Sequence, residues 1–122
     1  MEHKMVIVMR TDLGMHRGKM ATQSAHAASM GILFHEDNEE NRDARLTQWV
    51  MESAIIKVCL RVDSEEELAE IEQLARAAKL EVQGITDIGR TAFKGVPTRT
   101  CICIGPNIAE EVDKITGHLR LL

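Results

Sequence analysis

Lys4-Met5-Val6-Ile7-Val8-Met9-Arg10 is a run of five apolar residues closed at each end by a cation. A strand with one wet face alternates polar and apolar residues; a strand covered on both faces does not. The run therefore reads as a fully buried central strand, which requires helices on both sides of a sheet. Its carboxyl end delivers Arg10-Thr-Asp-Leu-Gly-Met-His-Arg-Gly-Lys19 and then an Ala- and Met-rich stretch without proline, Gly18 to about Phe34. There Ala21, Ala25, Ala28 and Ile32 recur at helical spacing, predicting a helix that lies close to the sheet through small residues.

The remaining elements follow from the same patterns. Leu46, Trp49, Val50 and Ile55 suggest a second helix to about Glu52, and Ile55 to Val62 has strand composition. Asp63-Ser64 followed by three glutamates is a helix start, with Leu68, Ile71, Leu74, Ala75 and Ala78 as its apolar stripe. Glu81–Thr86 and Thr98–Ile104 read as strands able to pair antiparallel, the second ended by Gly105-Pro106. Asn107 is a plausible cap for a last helix from Ile108 to Thr116, and His118 to Leu122 is left as a tail. The order is βααβαββα, an α/β fold with a mixed sheet. The 122 residues read as a single domain.

Composition narrows the function. Aromatic residues are only Trp49, Phe34 and Phe93, so stacking on unpaired bases is almost unavailable and any RNA contact should be phosphate-led. Net charge is −4, but residues 35–86 carry −7 while residues 1–34 carry +2 and residues 87–122 carry +1. Either the two ends combine into a positive face or the unevenness is that of an ordinary solvated surface. No apolar run approaches the roughly 18 residues needed to span a bilayer, and Met5–Met9 is too short for a signal-peptide core. Cys59, Cys101 and Cys103 lie in apolar runs and suggest a reducing, cytosolic setting. No HExxH or paired CxxC spacing suggests a metal.

Polar residues collect in two places. Lys19, Gln23 and His26 stand at i, i+4 and i+7, on one helix face next to the carboxyl end of the first strand, where α/β sheets bind ligands. They are either solvated surface residues or a site. Thr86-Asp87-Ile-Gly-Arg90-Thr91 follows another strand end. There either Asp87 and Arg90 form a loop ion pair around Gly89, or Asp87 is an acid–base or orienting group with Thr91 positioning water or substrate.

Taken together, Arg10-x-Asp12-Leu13-x-Met15-x-x-Gly18-Lys19-x-Ala21-x-Gln23-x-x-His26-Ala27, then Asp87-x-Gly89-Arg90-Thr91, then Ile104-Gly-Pro106 and Val112–Leu122 resemble the type 2 peptidyl-tRNA hydrolases over almost the full chain. The resemblance implies a three-layer α/β/α sandwich on a four-stranded mixed sheet, often a homodimer. It implies hydrolysis of the ester joining a peptide to tRNA, without metal or other cofactor. Carried over, Lys19, His26, Asp87 and Thr91 are the candidate catalytic residues, and Gln23 with Thr98 or Thr100 the candidate substrate-binding ones. Arg17, Arg90, Lys94, Arg99 and Arg120 are candidates for the tRNA phosphates of a cytoplasmic enzyme that touches no membrane. The alternative is a non-catalytic RNA- or protein-binding module on the same fold. The chain departs from the family pattern at Thr22, usually Ala, at Ala25, Ser in some members, and over Ala92–Pro97, one residue longer than usual.

Overall fold

The computed structural model describes residues 1–34, 37–90 and 92–122. Strand β1 (His3–Arg10) leads into helix α1 (Arg17–Leu33) and then helix α2 (Glu39–Thr47), which widens into one π-helical turn, Gln48–Glu52. Strand β2 (Lys57–Val62), helix α3 (Glu65–Ala77), strand β3 (Val82–Asp87), a short turn Phe93–Gly95, strand β4 (Thr98–Ile108) and helix α4 (Ala109–Thr116) complete it. The sheet order is β2-β1-β4-β3, with β1 parallel to β2 and antiparallel to β4, and β3 antiparallel to β4. The expected order and mixed sheet are observed, and β1 is internal because both of its faces are apolar.

Those two faces organise the three layers. Met5, Ile7 and Met9 point to one side, where they meet Ala27 of α1, Trp49, Ile85, Cys101 and Cys103. Val6 and Val8 point to the other, packing with Leu60, Leu68, Ile71, Ala75 and Val112 of β2, α3 and α4. Fully burying one such side chain contributes about 1.5–3 kcal/mol, so β1 holds the two halves together.

The structure corrects five local expectations. The buried stripe of α1 is Gln23, Ala27 and Gly31, whereas Ala21, Ala25 and Ile32 face outward. Alanine spacing fits either face. What selects the stripe is contact distance: a Cβ on Gly31 would lie 2.7 Å from Cys103 Sγ and 3.2 Å from the Gly105 carbonyl. The helix begins at Arg17, because His16 caps it by accepting from the Lys19 amide at 3.3 Å. In α3, Leu74 is 46 % exposed and outside the stripe. β4 does not stop at Gly105-Pro106; that peptide is cis, and the strand continues to Ile108, so Asn107 lies within it and caps no helix. Lys4 and His3 of β1, opposite Asn107 and Ile108, carry the ladder past the proline after a register shift between Val6 and Lys4.

The last residues are not a free tail either. Arg120 accepts at 3.0 Å from the Arg61 amide and Leu122 donates at 3.0 Å to the Cys59 carbonyl, with Leu60 and Leu121 forming a bridge. They cover the outer edge of β2. The opposite edge, β3, has no such cover among the described residues.

Candidate active site

The loop Thr11–His16 carries the chain from the end of β1 to the start of α1. Arg10 anchors it: buried to 6 % exposure, its guanidinium meets Asp12 twice, Nε to Oδ1 at 3.0 Å and Nη2 to Oδ2 at 2.7 Å. The third arm donates to the Arg99 carbonyl of β4 at 3.1 Å. This bidentate pair holds the Asp12 carboxyl below its ordinary range and keeps the guanidinium charged. The brace aligns the start of α1 with β4. The Arg10–Asp12 spacing was visible in the sequence, but nothing there indicated a brace.

On that frame α1 delivers Lys19 to Asp87. Lys19 Nζ lies 2.5 Å from Asp87 Oδ2, both side chains largely buried. The other carboxylate oxygen accepts from the Gly89 amide at 2.7 Å. Gly89 adopts φ +85°, and a Cβ there would lie 2.6 Å from the Gly95 backbone, so glycine is required for this turn. The Lys19 hydrogen bond, then the Gly89 amide, hold the Asp87 carboxyl below its ordinary range despite burial. Asp87 is thus paired with Lys19 across the sheet, not with Arg90 in its own loop.

Gln23, one turn after Lys19, is 2 % exposed. Its amide nitrogen is 3.5 Å from Asp87 Oδ2, and its carbonyl accepts from Thr100 Oγ1 at 2.5 Å. Thr100 reaches Gln23 because the β3–β4 register slips between Ile85 and Thr86: Ile85 faces Cys101 and Thr86 faces Arg99. A bulge of this kind re-aims a side chain. Thr98 stands opposite Asp87 in the ladder, and its hydroxyl donates to the Val96 carbonyl at 2.9 Å. Both threonines therefore border the pair, Thr100 through the buried network and Thr98 at the exposed end.

Two open cavities flank the Lys19–Asp87 pair. One, of about 320 Å³, is lined by Leu13, Met15, His16, Lys19 and Phe93. The Lys19 ammonium sits 5.8 Å from the centre of the Phe93 ring. The other, of about 210 Å³, is lined by Gln23, His26, Ile85, Asp87, Ile88 and Arg90. His26 thus lies on the same helix face as Lys19 and Gln23, as its spacing predicts, at the rim of a cavity that Asp87 also lines.

The remaining candidates divide. Arg17, Arg90 and Lys94 are exposed near the two cavities. Arg99 points to the opposite face of the sheet, where Glu72 of α3 takes its Nη2 on both oxygens at 2.8 Å and Thr86 Oγ1 accepts Nη1 at 3.3 Å. Arg120 lies at the covered edge of β2, beside Arg61 and His118. Thr91 lies outside the described residues. Phe93 was missed as a site residue; it belongs to the lengthened Ala92–Pro97 loop, the one departure from the family pattern that reaches the site. Thr22 and Ala25, the other two departures, are exposed on α1. No cluster of three or more His, Cys, Asp or Glu with metal-binding geometry occurs among the described residues, and among them no helix is long and apolar enough to cross a membrane.

Residues 3–122 match the family described as Peptidyl-tRNA hydrolase PTH2. A protein of Methanocaldococcus jannaschii named peptidyl-tRNA hydrolase is 41% identical over 119 residues, covering 98% of this chain and 99% of its own. One of Sulfurisphaera tokodaii with the same name is 41% identical over 125 residues, covering all of both chains. A Bos taurus protein named peptidyl-tRNA hydrolase 2, mitochondrial, is 37% identical over 120 residues; this chain spans 98% of its own length there but only 64% of the bovine protein's.

Proposed function

The chain belongs to the peptidyl-tRNA hydrolase family PTH2, and from that membership we propose that it hydrolyses the ester between a peptide and tRNA by direct attack of water. The observation that carries the proposal is the Lys19–Asp87 pair, held 2.5 Å apart at the carboxyl end of the sheet between two open cavities. An ester needs two things from its catalyst: charge at the carbonyl oxygen as the tetrahedral intermediate forms, and a route for the proton of the attacking water. Lys19 is the cation for the first. Asp87, held ionised by Lys19 and the Gly89 amide, fixes the position of the ammonium, and its free lone pairs orient the water.

A carboxylate whose pKa is lowered is a weak base, so Asp87 is better suited to orientation than to proton removal. His26, across the same cavity, is the candidate acceptor, since an imidazole can exchange a proton near neutral pH. Gln23, fixed from behind by Thr100, offers its amide to the substrate and to Asp87. Thr98 and Thr91 complete the proposed substrate contacts. Arg17, Arg90 and Lys94 are the proposed phosphate contacts. We assign Arg99 instead to holding β4 against α3, because its guanidinium is already engaged by Glu72.

We further propose a homodimer in a compartment where translation occurs. The exposed Ile32, Leu33 and Phe34 at the end of α1 support the first, and the three free thiols are consistent with a reducing compartment. Sedimentation at micromolar concentration tests the assembly.

The deciding assay compares N-blocked aminoacyl-tRNA with unblocked aminoacyl-tRNA. Release from the blocked form alone is expected, and EDTA should leave the rate unchanged. Release from neither would sink the proposal.

A further inference from the structure

The cavity beside Asp87 continues. His26, Ile85 and Thr86 line it and also line a second groove of about 380 Å³, which runs between α1 and β3 past Ser29, Met30 and Gly84. That groove follows the one sheet edge that no backbone covers among the described residues, whereas the C-terminal residues cover the other edge. An uncovered edge strand presents a row of free N–H and C=O groups.

The side chains along β3 sharpen this. Ile85 and Asp87 face α1, Ile85 with the core on that side and Asp87 toward Lys19 and Gln23. Gly84 and Thr86 face the other way: a Cβ on Gly84 would lie 2.0 Å from the Arg99 guanidinium carbon, and Thr86 Oγ1 accepts from Arg99. Between Ile85 and Asp87 the groove therefore meets main chain rather than side chain. Apart from His26, at the end shared with the Asp87 cavity, its other lining side chains, Ser29, Met30 and Ile85, carry no charge. A ligand that is itself uncharged main chain, of any side-chain sequence, fits this surface.

Charge differs between the far ends of the two sides: the cavity beside Asp87 carries the exposed Arg90 at its rim, but the α1–β3 groove beyond it is lined by no lysine or arginine. The cavity lined by Leu13, Met15, His16 and Phe93 is flanked in sequence by the exposed cations Arg17 and Lys94, which suits the phosphate-bearing end of the substrate.

We infer that the peptide leaves the scissile ester along the open edge of β3, lying in the α1–β3 groove as an added strand, while the tRNA terminus lies on the Phe93 side of Lys19. This rests on the peptidyl-tRNA proposal above. At about 3.3 Å per residue, the stretch from Asp87 back to Gly84 accommodates about three peptide residues. Recognition runs through main-chain hydrogen bonds and so does not depend on peptide sequence.

The test uses two substrates that share their ester-linked residue: N-acetyl-aminoacyl-tRNA and N-acetyl-tripeptidyl-tRNA. Two main-chain hydrogen bonds of ordinary strength predict a kcat/KM about tenfold higher for the tripeptide. Ser29→Trp places a large ring in the groove from an exposed helix position and should bring that ratio close to one. N-methylation of the tripeptide's last internal amide should do the same with the unaltered protein. Hydrolysis of both substrates at equal rates by the unaltered protein would overturn the groove while leaving the esterase proposal standing. An equal loss on both substrates in Ser29→Trp would place the tRNA end in the groove and overturn the direction. Hydrolysis of neither substrate by the unaltered protein would sink the esterase proposal and this one with it.

Discussion

Lys19 and Asp87, 68 residues apart in sequence, meet at 2.5 Å with Gln23 behind them and Thr100 behind Gln23. The four side chains form one connected polar network in the floor between two cavities. Groups arranged in this way act as a unit, and single substitutions should not add.

Lys19→Ala and Asp87→Asn should each reduce kcat for N-acetyl-aminoacyl-tRNA by about 100-fold or more, the scale of losing one electrostatic group at an oxyanion. The double variant should fall little below the worse single one. Additive losses in a double-mutant cycle, read by tRNA release, would show that the two act separately.

Thr100→Val removes a hydroxyl of matching shape and leaves the Gln23 carbonyl buried without that donor. An unsatisfied buried polar group costs about 1–3 kcal/mol, and the urea midpoint should fall accordingly. Thr98→Val removes only a local bond to the Val96 carbonyl, so its stability should stay within about 0.5 kcal/mol of the parent.

The pH dependence of stability follows from Asp87. Its carboxyl is held below its ordinary range in the folded state, so its contribution is fully present above the unfolded carboxyl's pKa and is lost as pH falls through the lower folded value. The difference in unfolding free energy between the parent and Asp87→Asn should stay constant from about pH 8 to about pH 5 and close only in stronger acid. A difference that already shrinks between pH 7 and pH 6, roughly the imidazole range, would assign the dependence to a histidine instead.

Gly31→Ala inverts the usual helix rule. In an open helix interior alanine is favoured over glycine by about 1 kcal/mol. Here the new methyl would press on Cys103 Sγ, the Met5 methyl and the Gly105 carbonyl, and overpacking of this kind costs about 1–3 kcal/mol. A rise in melting temperature would show that α1 can move off the sheet.

Burial pushes the Cys101 thiol up to about 11 and the Cys103 thiol to about 12. Alkylation requires thiolate, so neither should react with iodoacetamide in the native protein at neutral pH. Half-buried Cys59 should be modified first, as peptide mapping before and after denaturation would show.

The sequence alone determined what depends on neighbours along the chain. Five apolar residues between Lys4 and Arg10 required a strand covered on both faces, and hence helices on both sides of a sheet. The i, i+4, i+7 spacing put Lys19, Gln23 and His26 on one helix face at a strand end, and Asp63-Ser64 with the glutamates that follow marked the start of α3. The family resemblance then singled out Asp87 as a partner in the same site.

Tertiary structure decided what depends on register and on close approach. Asp87 turned from Arg90 to Lys19, because the Arg10–Asp12 brace and the sheet order bring α1 over the end of β3. Thr100 turned inward because of a one-residue slip in the β3–β4 ladder, which no local pattern encodes. Arg99, a cation like any other in the sequence, was drawn away to Glu72 on the far face of the sheet. The buried stripe of α1 fell on Gln23, Ala27 and Gly31 because only there could helix and sheet approach closely enough. Such choices rest on contacts between residues tens of positions apart, each set by steric fit and by the need to partner buried charge.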